Sequence, residues 1–208
     1  MNSPFEDENH NPIQEVSDCV VLAGGAGRRM GGPKAFLEYE GHLLIERIHS
    51  KVSPLFDRAC VSVKTSSALD QIPHLKWHAV IEDPPECSSL HEALGNIIET
   101  VQAPVFIVAV DLPELTASMI RKICSAYTPG TSVIVEADDR PQPLAAVWDT
   151  TALDFSSPQD GDLALLGWVR RAPFQTLIWP QDFPGAVESS PFRNLNEPGD
   201  IPGKGTDL

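Results

Sequence analysis

Basic charge is scarce in this 208-residue chain: 15 lysines and arginines face 29 aspartates and glutamates, a formal charge of −14. A nucleic-acid partner or an anionic membrane calls for a basic face, so neither is expected. Long apolar runs are lacking too. No segment reaches the roughly 20 apolar residues that a membrane span needs, and the polar start from Met1 to Asp18 has no signal-peptide core. The expected location is the cytoplasm. The four cysteines, Cys19, Cys60, Cys87 and Cys124, form no C-x-x-C pair. Zinc and redox chemistry are therefore unsupported, and all four are given structural roles. The six histidines are scattered from His10 to His91 and are assigned to surface or core.

Two familiar phosphate loops are also missing. A Walker A loop needs glycine directly before its lysine and a hydroxyl residue directly after, but Lys34 lies between Pro33 and Ala35. A dinucleotide fingerprint starting at Gly25 would have Met30 at its third glycine position. What is present is Cys19-Val-Val-Leu-Ala-Gly-Gly-Ala-Gly-Arg-Arg-Met-Gly-Gly-Pro-Lys34, a short apolar run that breaks into five glycines and three cations. The run reads as a buried strand. Glycines let the loop bend and approach a ligand closely, and Arg28, Arg29 and Lys34 add charge that an anion would relieve. A phosphate cradle is the expectation; a flexible turn with solvated cations is the competing reading.

Residues 1–17 are polar and acidic, which predicts a mobile extension. Helical spacing of Leu43, Leu44, Ile45, Ile48 and Val52 follows a turn at Gly41. Strands are expected at residues 59–63 and 77–81, then a helix from about Leu90 to Val101 capped by Ser88 or Ser89. Residues 104–110 form the most hydrophobic stretch and read as a central strand. A helix capped by Thr116 comes next, with Met119, Ile120 and Ile123 inward. Strands at 131–135 and 144–148 are joined through residues 138–143, a helix covers 163–169, and a last strand spans 175–179. One domain over residues 18–201 with a flexible tail at 202–208 results. Alternating strands and helices predict an α/β fold, a single three-layer domain with a mostly parallel sheet covered on both faces.

Ligands of such sheets bind beyond the carboxyl ends of the strands. That rule brings the glycine loop, Asp83 and Asp111 to one crevice. Asp111 follows the most apolar strand and precedes Pro113, which suits a carboxylate holding a hard divalent cation against phosphate oxygens. A loop aspartate bonding its own backbone is the alternative. Asn194 and Asn196 lie two apart and share one side of an extended segment, or form a turn before Glu197-Pro-Gly199. The Arg140-Pro-Gln-Pro143 stretch either orients a substrate or starts a strand.

Leu22-Ala-Gly-Gly-Ala-Gly-Arg-Arg-Met-Gly-Gly-Pro-Lys34 resembles the nucleotide-binding signature of the molybdenum cofactor guanylyltransferases and related MobA-like nucleoside-triphosphate transferases. Asp111-Leu-Pro-Glu-Leu-Thr116, Arg140-Pro-Gln-Pro-Leu144 and Asn194-Leu-Asn-Glu-Pro-Gly-Asp200 resemble three further motifs of that family, in the same order. The resemblance implies a Rossmann-like fold and a magnesium-dependent nucleotidyltransferase that joins GMP from GTP to molybdopterin and releases pyrophosphate. By position it implies that Leu22, Ala23, Gly24 and Gly25 cradle the nucleotide, and that Arg29 and Lys34 neutralise the triphosphate. Asp83 would help bind the nucleoside, Asp111 would hold the metal, and Asn194 and Asn196 would lie near the acceptor. Transient contact with molybdenum cofactor enzymes or insertion proteins is implied as well. The chain departs from the family where Ser88-Ser-Leu90 replaces glycine-proline-leucine, where Val63-Lys-Thr65 lacks the usual asparagine, and where Pro33 replaces an aspartate. A cytidylyltransferase acting with CTP and a non-catalytic nucleotide-binding relative stand as alternatives.

Overall fold

The apolar runs at 19–22, 59–63 and 105–109 become strands buried on both faces, and this fixes where the site lies. The computed structural model describes residues 13–25, 27, 31–101, 104–152, 167, 169, 173–183, 185–186, 190–196 and 198–201. In chain order the elements are β1 (Asp18–Leu22), the small hairpin β2 (Glu38–Tyr39) and β3 (His42–Leu43), α1 (Leu44–Val52), β4 (Arg58–Val63) and β5 (Ala79–Glu82). They continue as α2 (Leu90–Thr100), β6 (Val105–Ala109), α3 (Ala117–Ser125), β7 (Ser132–Ala137), β8 (Arg140–Trp148) and β9 (Phe174–Ile178).

The main sheet has seven strands in the order β5-β4-β1-β6-β8-β7-β9. Among the described strands β8 alone runs against the rest, pairing antiparallel with both β6 and β7. Side chains alternate faces along a strand. Thus Cys19, Val21, Phe106 and Val108 face α1 and α3, while Val20, Val105 and Ile107 face Leu94 and Ile97 of α2. The result is the expected three-layer α/β domain. From β1 the chain winds outward to β4 and β5, then returns across β1 to β6. The switch point therefore lies between β1 and β6, where their following loops part and leave a crevice.

Local chemistry explains the helix starts. Ser89 Oγ accepts the Glu92 N–H at 3.2 Å, and Glu92 Oε2 accepts the Ser89 N–H at 3.0 Å, a reciprocal cap for α2. Thr116 Oγ1 accepts the Met119 N–H at 3.3 Å and caps α3.

Several expectations shift. The mobile extension does not reach residue 17: Ile13 and Val16 are buried, and the Ile13 N–H donates to the Leu55 carbonyl at 2.8 Å. Two apolar residues three apart are enough to dock this short stretch, and residues 1–12 lie outside the described residues. β5 begins two residues late, at Ala79. The 138–143 connection shrinks to Asp138 and Asp139, both at positive φ (53° and 56°), a tight hairpin turn from which β8 starts at Arg140. The helix expected at 163–169 lies outside the described residues except for Gly167 and Val169, which are helical. The tail at 202–208 is likewise outside them.

Candidate nucleotide-binding site

The carboxyl ends of β1, β4, β5 and β6 share one edge, and each releases a residue of interest there. Hydrogen bonding continues just past the strand ends: the Ala23 N–H donates to Ser62 O at 2.8 Å and the Val110 N–H to Leu22 O at 3.1 Å. The first residues of the loops are therefore held by the sheet itself. Beyond them the glycine loop doubles back, with the Lys34 N–H on Gly25 O at 3.3 Å and the Gly32 N–H on Gly27 O at 3.4 Å. Gly27 has a positive φ of 53°, and a Cβ there would overlap the Gly32 carbonyl oxygen. Only glycine closes this loop.

Lys34 opens a single 3-10 turn, Lys34–Phe36, anchored by buried Ala35. Its Nζ donates to Asp111 Oδ2 at 2.6 Å and to Asn196 Oδ1 at 3.0 Å, residues 77 and 162 positions away in sequence. The closing segment is fixed there by the Leu195 N–H, which donates to Asp111 O at 3.2 Å, and by the Asn196 N–H, which donates to Asp200 Oδ2 at 2.9 Å. Lys34, Asp111 and Asn196 thus come together; the rule for parallel sheets brings the glycine loop and Asp111 to one crevice, and Asn196 joins them from the closing segment. The Asn194 carbonyl accepts the Asn196 side-chain amide at 3.5 Å. Arg28 and Arg29 lie outside the described residues.

A second lysine–carboxylate pair faces the first. Lys64 Nζ lies 3.0 Å from Asp83 Oδ2, and the Asp83 side chain is only 2% exposed. Among the described residues Asp83 Oδ1 receives only a long contact, 3.5 Å, from the Ser62 hydroxyl. Burial by itself would lower the Lys64 pKa, but the hydrogen bond and charge of Asp83, aided by Cys87, outweigh it and hold the pKa above its ordinary value. Lys64 therefore remains an ammonium. A Cβ on Gly24 would sit 3.4 Å from Asp83 Oδ2, so the loop backbone closes directly over this pair. The sequence marks Val63-Lys-Thr65 as a departure from the family pattern but gives Lys64 no role of its own, although it directly follows a buried strand at the same edge as Asp83 and Asp111.

Cys87 also departs from expectation. Cys19, Cys60 and Cys124 are buried, but Cys87 is partly exposed, and its carbonyl accepts Lys64 Nζ at 2.9 Å. It lines the cleft. The neighbouring serines are occupied locally: Glu92 Oε2 accepts the Ser88 N–H at 2.6 Å, the Ser88 hydroxyl at 3.1 Å and the Ser89 N–H at 3.0 Å.

Two clefts meet at this edge. One of about 680 Å³ is lined by Gly24, Gly25, Lys34, Lys64, Asp83 and Asp111. The other, about 1060 Å³, is lined by Leu112, Arg140, Gln142, Arg193, Asn194 and Asn196. Arg140-Pro-Gln-Pro143 therefore both starts a strand and faces a cleft. Asp111 lines the first and Leu112 the second, so consecutive residues of one loop divide them. The first cleft can hold an anionic ligand between two ammonium groups, and the second can bring another molecule to its rim. Among the described residues no three histidine, cysteine, aspartate or glutamate side chains gather as a metal cage, and no helix is long and apolar enough to cross a membrane.

Residues 19–171 match the family model described as the MobA-like NTP transferase domain. A protein of Syntrophotalea carbinolica named molybdenum cofactor guanylyltransferase is 28% identical over 136 residues, covering 64% of this chain and 63% of that protein. One of the same name from Desulfosudis oleivorans is 28% identical over 144 residues, covering 65% and 66%. The chain thus spans just under two thirds of the length of these curated relatives. Among solved structures, molybdopterin-guanine dinucleotide biosynthesis protein A from Archaeoglobus fulgidus shares the fold. Its TM-score is 0.70 at 22% identity, with 88% of this chain and 94% of that one covered.

Proposed function

The chain belongs to the MobA-like NTP transferase family, and on that premise we propose that it transfers GMP from GTP to the terminal phosphate of molybdopterin, releasing pyrophosphate. The observation that carries this reading is Lys34, which bonds Asp111 at 2.6 Å and Asn196 at 3.0 Å where the two clefts meet. A nucleotide in the smaller cleft would present its α-phosphate to an acceptor in the larger one. An oxygen of the acceptor phosphate bonds to the α-phosphorus, and the bond from that phosphorus to the bridging oxygen of the β-phosphate breaks. The acceptor is already ionised, so no strong base is required. The work is alignment and charge neutralisation.

Lys34 supplies that charge at the rim, and Arg29 is proposed as a second cation from the same loop. The Asn196 amide orients the Lys34 ammonium, and Asn194 lines the acceptor cleft. Asp111 suits magnesium, which takes one or two protein carboxylates and fills its other places with water and phosphate oxygens. When bound, the ion would neutralise charge on the triphosphate.

The Lys64–Asp83 pair supports guanine as the base. A carboxylate only accepts hydrogen bonds and an ammonium only donates them. Guanine offers two adjacent donors, N1–H and the 2-amino group, beside the acceptor O6. Asp83 Oδ1, which the Ser62 hydroxyl reaches only at 3.5 Å, then gains a donor, and the half-exposed Lys64 gains an acceptor in O6. Cytosine lacks the second adjacent donor. Ser88 and Ser89, where the family pattern fails, are engaged by Glu92 and are assigned to the helix cap rather than to the base. The reaction is placed in the cytoplasm, with any contact to cofactor-using enzymes transient.

The test compares pyrophosphate release from GTP and CTP with molybdopterin and magnesium. Release from GTP is expected at least tenfold faster. Equal release from CTP removes the guanine reading, and nucleotide binding with no release from either supports the non-catalytic alternative.

A further inference from the structure

Helix α1 carries two cations that the reaction above does not use. Arg47 is 8% exposed, and Lys51 lies one turn further along the same helix. Both point at a single backbone atom, the carbonyl oxygen of Pro113: Lys51 Nζ donates to it at 2.6 Å and Arg47 NH2 at 3.5 Å. Tyr39 of the β2-β3 hairpin donates its hydroxyl to Glu114 Oε1 at 2.8 Å. Arg47 stacks over the Tyr39 ring at 4.9 Å and pairs with Glu40 at 3.1 Å.

These contacts share a pattern. One continuous segment, residues 34–51, grips one loop, residues 111–114, at three points: Lys34 on Asp111, Lys51 and Arg47 on Pro113, and Tyr39 on Glu114. Leu112 and Leu115 bury themselves on either side, so the loop has little freedom to tilt. Crowding two cations against one carbonyl is a costly way to hold a loop, because burial and like charge both oppose it. A neutral donor would cap the same oxygen but hold it less tightly than a charged one. The arrangement makes sense if it sets the position of what lies two residues earlier.

We propose that Lys51, supported by Arg47 and Tyr39, is a positioning residue that fixes the 111–114 loop so that the Asp111 carboxylate meets Lys34 and the metal–triphosphate. The proposal rests on the reading of Asp111 and Lys34 given above. Burial, and next the charge of Arg47, bring the Lys51 pKa down to about 8, with Glu114 and Glu40 opposing; the Tyr39 phenol faces the same cluster. As pH rises through 8 the ammonium becomes an amine, and its bond to Pro113 is no longer charge-assisted. Linkage runs the other way for stability. A lysine whose folded pKa lies below its unfolded value favours the native state increasingly as pH rises from about 8 towards about 10. A loss of site function in this window is therefore not a loss of fold through Lys51.

The test uses the full chain and its Lys51→Arg and Lys51→Met variants. Amide hydrogen exchange of residues 112, 114 and 115 without ligand is expected to rise about tenfold in Lys51→Met and to stay at the wild-type level in Lys51→Arg. Manganese affinity in the presence of GTP, read by electron paramagnetic resonance, should weaken severalfold in the wild type between pH 7 and pH 9. It should be weak at both pH values in Lys51→Met and strong at both in Lys51→Arg. Unchanged exchange in Lys51→Met, or a pH dependence in Lys51→Arg equal to that of the wild type, overturns the proposal. If no form binds manganese with GTP while exchange still rises in Lys51→Met, the nucleotide reading falls. The grip on the loop is then purely structural, and the role of Lys51 towards Asp111 falls with it.

Discussion

Two lysine–carboxylate pairs face one cleft, and they are built differently. In the Lys34–Asp111 pair both side chains are partly open, 18% and 12% exposed, and Lys34 reaches on to Asn196 at the second cleft. In the Lys64–Asp83 pair the exposure is split: Lys64 is 49% exposed and Asp83 is 2% exposed. On the proposed function the first pair would exchange partners when phosphates arrive, because both members touch the cleft. The second is fixed at its carboxylate end and offers a rigid edge. One pair is suited to reacting groups and the other to reading a shape.

That contrast is broken most directly at the first pair. Asp111→Ala and Lys34→Ala are each expected to cut pyrophosphate release by about a hundredfold to a thousandfold, the range for removing one preorganised electrostatic group. Thermal melting should stay within a few degrees, since neither side chain belongs to the packed core. Full turnover in Asp111→Ala would end the assignment of the metal to this residue. At the second pair the expected change is in selectivity. Asp83→Asn keeps the volume but replaces one acceptor with a donor, and kcat/KM for GTP should fall about tenfold to a hundredfold, as for hydrogen bonds to a charged group. The rate with CTP should barely move. A smaller effect is expected for Lys64→Met, a severalfold rise in KM for GTP with kcat kept, because the lysine is half exposed and solvent weakens its pairing. Should Lys64→Met instead lower kcat at unchanged KM, the two pairs would not divide the labour as argued.

The first pair was far more legible in the sequence than the second. Lys34 stands in a glycine-rich loop and Asp111 directly behind six consecutive apolar residues, Val105 to Val110, so type and position both draw attention. Asn196 was noticed mainly through its resemblance to a family motif, because a pair of amides before a proline reads equally well as a turn. Val63-Lys-Thr65 stands out in the sequence only for the asparagine it lacks; the role of Lys64 is not legible, because a lysine after a strand normally serves solubility and only the buried carboxylate beside it gives it another meaning. Arg47 and Lys51 escaped for a related reason. They lie four apart on the polar stripe of α1, and nothing in the helical period tells that this stripe meets the Pro113 carbonyl instead of water. The parallel part of the sheet was readable from continuous apolar runs, but the reversal at β8 was not. Pro141 and Pro143 disguise its first half, since proline is rare inside strands, and the Asp138-Asp139 turn is visible only from its positive φ values.

The smallest expected effect tests whether base reading extends from the second pair to the neighbouring helix start. Ser88 and Ser89 line the same cleft as Lys64 and Asp83, yet their N–H groups are spent on Glu92. Bonds from Ser88, backbone first and then hydroxyl, followed by those from Ser89, hold the Glu92 carboxyl below its ordinary pKa. The carboxylate half of the cap therefore contributes fully above about pH 4.5 and is lost as pH falls through the lowered value, while the Glu92 N–H keeps its bond to Ser89 Oγ. Ser89→Ala should cost about 1 kcal/mol of stability, the usual loss for an N-cap, measured by urea unfolding at pH 7. The GTP-to-CTP rate ratio should stay within about twofold, since the variant removes a hydroxyl that bonds the backbone of its own helix. A larger change in that ratio would move base selection from the rigid Lys64–Asp83 edge to the start of α2, and the departure at Ser88-Ser89 would then belong to substrate choice instead of to the helix cap.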